Sequence, residues 1–138
     1  MDKVFLDTNV ILDYLAARVP FDGNAKALFL RGERGEIELF ASTLSFCNIS
    51  YILPRLDSTV NLIQILTDLS ALLTLAPVDA FTISAALQSD FTDFEDAVQH
   101  FSAEQAGGIS HFITRNPADF QHSSLPVFTP EKYLAGNS

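Results

Sequence analysis

The hydrophobic positions of the chain fall into two alternating patterns. Short apolar runs at Val4–Leu6, Ile37–Ala41, Leu72–Leu75 and Ile109–Ile113 read as buried strands, with a weaker fifth at Val127–Phe128 behind Pro126. Between them apolar residues return every three or four positions, as they do on a helix. Asn61–Leu73 shows this best: Leu62, Ile65, Leu66, Leu69, Leu72 and Leu73 share one face. The other helical stretches are Asn9–Ala17, Asn24–Arg34 ending at Gly35, Leu44–Leu53 stopped by Pro54, Asp79–Gln88, and Phe94–Gln105 ending at Gly107-Gly108. Strands alternating with helices in one short chain predict a three-layer α/β/α sandwich around a parallel sheet of four to five strands. In such sheets ligands bind in the crevice at the carboxyl ends of the strands.

Composition narrows the picture. A chain of 138 residues that is 48% hydrophobic fits a single domain, 1–138, with its own core. No internal repeat, low-complexity segment or Gly/Ser linker divides it. The charge runs the other way from a nucleic-acid binder with a broad basic face: 17 acidic against 8 basic residues give a net charge of −9. Any nucleic-acid contact is therefore local, metal-mediated or assisted by a partner. Cys47, the only cysteine, stands in an uncharged run and is expected to be a buried free thiol, as suits a reducing cytoplasm. Asp2 and Asp7 interrupt the N-terminus, so no signal-peptide core is read there. The longest uncharged run, Leu39 to Pro54, is too short and polar to span a bilayer. The expectation is a soluble cytoplasmic protein.

The candidate chemistry is acidic. "KVFLDTNVILDYL" runs a strand straight into Asp7, which could cap the helix that follows or serve a site at the strand end. "SDFTDFEDAVQHF" sets Asp93 and Asp96 three apart, on one face of a first helical turn, where capping is again the ordinary role. "FITRNPADF" runs from a strand into a turn with Asn116 and Asp119, in sequence ordinary for turns. Each cluster alone says little. Together they put Asp7, Asp93, Asp96 and Asp119 at element ends that a parallel sheet can gather, with Arg115 the only nearby base. Carboxylates gathered in one crevice raise each other's pKa unless a cation offsets them. A hard divalent ion, Mg²⁺ or Mn²⁺, is the fitting one, and its chemistry is metal-assisted hydrolysis of a phosphodiester.

Four blocks in order, "FLDTNVILDYL", "ASTLSFCNISYIL", "DFEDAVQ" and "ISHFITRNPADF", resemble the motifs of PIN-domain ribonucleases, nearest to VapC-like toxins of bacterial toxin–antitoxin systems. The resemblance runs from Lys3 to Phe120 and implies a PIN-like fold and a Mg²⁺- or Mn²⁺-dependent endoribonuclease. It also implies an RNA substrate, a cognate antitoxin as partner, and the homodimers common in the family. Residue by residue, Asp7 matches the first metal-binding acid, Asn9 the asparagine of the opening motif, and Asp96 the acid before alanine, with Asp93 as its accessory. Asp7 and Asp96 are thus the metal ligands, with Asp93 and Asp119 completing the acidic set. Ser42 or Thr43 matches the hydroxyl after the second strand, and Thr114 opens the last motif. Two positions depart: Asn48 stands where the family has a glutamate and Asn116 where it often has an aspartate. An amide oxygen coordinates without bringing charge, and Asp119, one helical turn on from Asn116, is expected to supply what is missing.

Arg115 beside the crevice is the candidate contact for an RNA phosphate, or else pairs with Asp119 or Glu95. Arg18, Lys26, Arg31 and Arg34 read as a solvated face, and Asp13 as solvated too. His111 reads as a core residue, and His100 and His122 as surface. A haloacid-dehalogenase-like phosphatase also begins with an aspartate after its first strand. It needs a second aspartate where this chain has Asn9, and a lysine where Lys3, Lys26 and Lys132 do not fall. The remaining alternative is a degenerate PIN domain kept as a non-catalytic RNA- or protein-binding module.

Overall fold

The computed structural model describes residues 1–136. Five strands form one sheet: β1 (Asp2–Leu6), β2 (Ile37–Ser42), β3 (Thr74–Ala76), β4 (His111–Ile113) and β5 (Val127–Phe128). The helices are α1 (Thr8–Leu15), α2 (Asp22–Glu33), α3 (Thr43–Leu56), α4 (Leu62–Leu72), α5 (Ala80–Leu87), α6 (Phe94–Ala106) and α7 (Pro130–Gly136). All strand pairings are parallel, in the order β3-β2-β1-β4-β5.

Both faces of the strands are apolar, as a sheet covered on two sides requires. Val4, Leu6, Leu39 and Ile113 point to one face, where they pack with Ile11 and Leu12 of α1, Leu28 and Phe29 of α2, Ile49 and Leu53 of α3, and Tyr133 of α7. Phe5, Phe40 and Phe112 alternate to the other and lie against Ala103 of α6 and Phe120. The layers follow: one helix layer on each side of the sheet, the sandwich expected from the sequence. Strand order reverses at β1, which has β2 on one side and β4 on the other. The crevice of the fold opens beyond Leu6 and Ile113, and the acids that follow these strands are delivered to it.

Local differences have local causes. Pro54 does not stop α3, which continues to Leu56. A proline so near the C-terminus forfeits one hydrogen bond, to the carbonyl of Ser50, and little helix remains beyond it to distort. Leu72 closes α4 instead of opening a strand, so β3 starts two residues later than the apolar run suggests. The α6 helix does stop at the two glycines: Gly107 takes φ 76°, a conformation that L side chains rarely adopt.

Several side chains differ from expectation, among them the arginines described below. Cys47 is exposed on α3, because the apolar stripe of that helix runs through Ile49 and Leu53 on another face. His100 is buried, stacked on Phe91, with its ring nitrogens 3.1 Å from Ser123 Oγ and 3.2 Å from Glu104 Oε2. Asp13 is not solvated but 1% exposed, for reasons given below. Among the described residues no helix is long and apolar enough to cross a membrane.

Candidate functional site

Asp7 ends β1 in an extended conformation, and its N–H donates to the carbonyl of Ile113, 2.9 Å away. The backbone bond ties the carboxylate to β4. Its side chain does not cap α1, so the ordinary role open to it in sequence is not the one it plays. Asp7 is instead 6% exposed and receives one donor on each oxygen: Gln99 Nε2 at 3.0 Å on Oδ1, and Thr114 Oγ1 at 2.8 Å on Oδ2. Burial raises its pKa, and the bonds from Thr114 and Gln99 hold that rise back.

Asp93 and Asp96 open α6. Asp93 is the N-cap, accepting from the Asp96 N–H at 2.9 Å, as the three-residue spacing suggested. The carboxyl of Asp96 is half-buried and pushed up to about 7, first by burial and then by the charges of Asp93, Asp7, Asp119 and Glu95. Among the described residues no side chain donates a hydrogen bond to it. Four acids on three segments therefore act on one carboxyl, as the sequence clusters implied. Glu95, not assigned a role in sequence, belongs with them: burial, Asp93 and Asp7 raise its pKa as well. Its Oε1 accepts from Asn48 Nδ2 at 3.0 Å. The amide that stands in the place of a glutamate is thus coupled to an acid on the neighbouring helix.

The hydroxyls after β2 do local work. Ser42 caps α3 by accepting from the Ser45 N–H at 3.2 Å, and Thr43 Oγ1 accepts from the Val78 N–H at 3.1 Å. Ser45 Oγ lies 2.8 Å from Thr8 Oγ1, which braces the turn after Asp7. Asn116 and Asp119 are exposed and lie in and beside a 3-10 turn, Pro117–Phe120, where the Asp119 N–H donates to the Asn116 carbonyl.

Asn9, Arg18 and Arg115 form a second, charged network around Asp13. Arg18 Nε and Arg115 Nη2 donate to Asp13 Oδ1 at 2.9 and 3.0 Å. Arg115 Nε lies 2.9 Å from Asp13 Oδ2 but is not aligned as a hydrogen bond. The Arg115 guanidinium also stacks over Phe21, 4.1 Å from the ring centroid. Arg18 Nη2 reaches the Asn9 carbonyl and Oδ1, both at 3.2 Å. Arg115 thus pairs with neither Asp119 nor Glu95, and Arg18 is no part of a solvated face.

Hard oxygen donors around an uncompensated carboxyl suit a divalent ion of the Mg²⁺ type. Among the described residues no three His, Cys, Asp or Glu side chains are grouped so as to hold a metal by themselves. Mg²⁺ keeps several waters and takes one or two carboxylates, so the chemistry of the donor set fits such an ion. Gln99 escaped the sequence reading. Its one signal is position: with Asp93 and Asp96 it continues a spacing of three along one face of α6.

A model of the PIN domain matches residues 3–118. No curated protein matches the chain in sequence. Among solved structures, a toxin–antitoxin complex from Klebsiella pneumoniae holds a chain with TM-score 0.67 and 18% identity, covering 92% of this chain and 97% of that one. FitAB bound to an IR36 DNA fragment gives 0.63 at 16% identity, with 92% and 94% covered. VapBC2 from Rickettsia felis, bound to a DNA fragment from its promoter, gives 0.66 at 12% identity, with 92% and 98% covered. At such identities the likeness is one of fold. The family match, with the acids at the ends of β1 and at the start of α6, settles the kinship: the chain belongs to the PIN domain family.

Proposed function

We propose that the protein is a Mg²⁺- or Mn²⁺-dependent endoribonuclease, the toxin of a type II toxin–antitoxin pair acting in the cytoplasm. One observation carries this reading: acids from three segments, Asp7, Asp93, Glu95 and Asp119, gather around a half-buried Asp96, whose pKa is raised first by burial and then by their charges. Asp7 and Asp96 would be the ligands, with Asp93, Asp119 and Glu95 adding negative charge around them. A bound divalent ion supplies the activation of water and the offset of phosphorane charge that phosphodiester hydrolysis needs.

The chain's own residues do the rest. Asp7 is held in one orientation, and Asp96 is fixed by its place in the first turn of a capped helix. Asn9 turns its backbone carbonyl and its side-chain oxygen to Arg18, which leaves the side-chain NH₂ as the end that would donate to a substrate. Asn116 and Asp119 stand exposed at the rim, where an RNA strand would pass. Arg115, the RNA contact suggested by sequence, donates to Asp13 through Nη2. It serves the reaction through its place next to Thr114 and through the positive charge it sets against Asp7. A groove of about 470 Å³ along α2, lined by Tyr14, Lys26, Ala27, Leu30 and Glu33, is the surface we assign to an antitoxin segment.

The test is cleavage of a structured RNA pool with Mn²⁺, beside Asp7→Asn and Asp96→Asn. Cleavage should require the ion and fall by about 100-fold or more in both variants. If the unmodified protein, freed of any co-purified partner, cuts nothing with Mn²⁺ or Mg²⁺, the reading fails. The amides at Asn48 and Asn116 would then favour a binding module. That alternative also predicts no stabilisation by Mn²⁺, whereas an ion bound to the folded state must raise its stability.

A further inference from the structure

Gln99 is 0% exposed in the middle of α6, among Ala97, Val98 and Ala103. Burying an amide costs free energy unless both of its ends are satisfied, so such a residue is either a structural bond or a device. Both ends here are committed. Oε1 accepts from the Thr8 N–H at 3.3 Å, and Nε2 donates to Asp7 Oδ1 at 3.0 Å. The polarity is forced, because a backbone N–H is only a donor, and the amide oxygen must face it. The NH₂ group is thereby left to face Asp7.

The other oxygen of Asp7 is treated in the same way. Thr114 Oγ1 accepts from the Asn116 N–H at 3.2 Å, which turns the hydroxyl hydrogen towards Asp7 Oδ2, 2.8 Å away. Each carboxylate oxygen thus receives one neutral donor whose own orientation is set by a backbone N–H. The plane of the carboxylate is pinned from two sides.

We propose that Gln99 is a positioning residue for Asp7: it presets the carboxylate for a divalent cation, with Thr114 as its counterpart. The assignment rests on the metal-dependent reading given above and adds a residue that this reading did not contain. Outer-shell partners of metal ligands typically change affinity by about 10–100-fold when removed, because the ligand must then be oriented at the moment of binding. Gln99 does not touch substrate; it acts through Asp7.

The experiment is a Mn²⁺ titration followed by thermal unfolding, on the unmodified protein and on Gln99→Met, with melting in chelator as the baseline. Gln99→Met keeps the length of the side chain and removes both hydrogen bonds. Its Mn²⁺ dissociation constant should rise by about 10–100-fold. A purely structural glutamine would lower the melting temperature in chelator and leave that constant unchanged, which would overturn the proposal while the metal site stood. If the unmodified protein shows no Mn²⁺-linked shift at all, the metal-dependent reading falls, and this assignment with it. Should Gln99→Met give no cooperative melt, the same comparison is read from Gln99→Asn, whose amide is one methylene too short to bridge Thr8 and Asp7. An unchanged Mn²⁺ constant there would sink the proposal equally.

Discussion

Asp7 and Asp13 lie six residues apart in sequence, on either side of the first turn of α1, and both are buried, at 6% and 1% exposed. Their surroundings are opposite. Asp13 meets two guanidinium groups, and its Oδ1 alone accepts from both. Asp7 meets an amide and a hydroxyl, one to each oxygen, and Arg115 acts on it through charge without being paired to it. The first carboxylate is neutralised within the protein and has little left to offer. The second is oriented but not neutralised. Burial alone therefore does not mark a functional acid. What sets Asp7 apart from Asp13 is burial with neutral donors that orient it and no base hydrogen-bonded to it.

The largest effect expected from this contrast is at Asp13. Asp13→Ala leaves two guanidiniums side by side without their carboxylate, and breaking such a pair costs about 3–5 kcal/mol when it is fully buried. Arg18 and Arg115 keep 27% and 22% of their side chains exposed, which favours the lower end of that range. Urea denaturation measures it. A loss below about 1 kcal/mol, the level of an exposed ion pair, would show that the network is not what holds α1. A smaller loss, about 1–1.5 kcal/mol, is expected for Arg18→Ala, since Arg115 still answers Asp13. Equal losses in the two variants would mean that Arg115 contributes nothing.

At the other cluster the sign reverses. Asp96→Asn should raise the melting temperature in chelator at pH 8 by about 3–5 °C, the shift that roughly 1 kcal/mol produces in a domain of this size. The pH dependence follows from linkage. The folded-state pKa of Asp96, about 7, lies above the ordinary 3.8, so the native state holds a proton that the unfolded chain has released between those values. Stability from this group is present at low pH and is lost as pH rises towards 7. The advantage of Asp96→Asn over the unmodified protein should therefore grow from pH 4 to pH 7 and then level off. A difference independent of pH would remove the case for an uncompensated site.

Much of the fold was legible because both strand faces are apolar and the runs at Val4–Leu6 and Ile37–Ala41 have no helical rival. At Leu72–Leu75 two patterns overlap: the same leucines complete the stripe of α4 and begin an apolar run, and periodicity alone does not divide them. The acids were legible as a set because each stands where a strand or helix ends. Gln99 and Asp13 were not. A glutamine in the middle of a helix gives no hint of what it meets 92 residues away, and the partners of Asp13 come from the loop after α1 and from the turn after β4. Contacts across the sheet are set by strand order, which no local pattern carries.

That strand order also fixes a sequence of events. The central strand is the first to be made, yet one of its two neighbours is β4, and the hydroxyl that steadies Asp7 comes 107 residues after it. During synthesis the emerging chain holds β1, β2 and β3 before it holds a crevice. A ribosome stalled just before Thr114 carries a polypeptide that holds Asp7 and Gln99 but lacks the second donor to the carboxylate. The setting of Asp7 is complete only once β4 and Thr114 have been made.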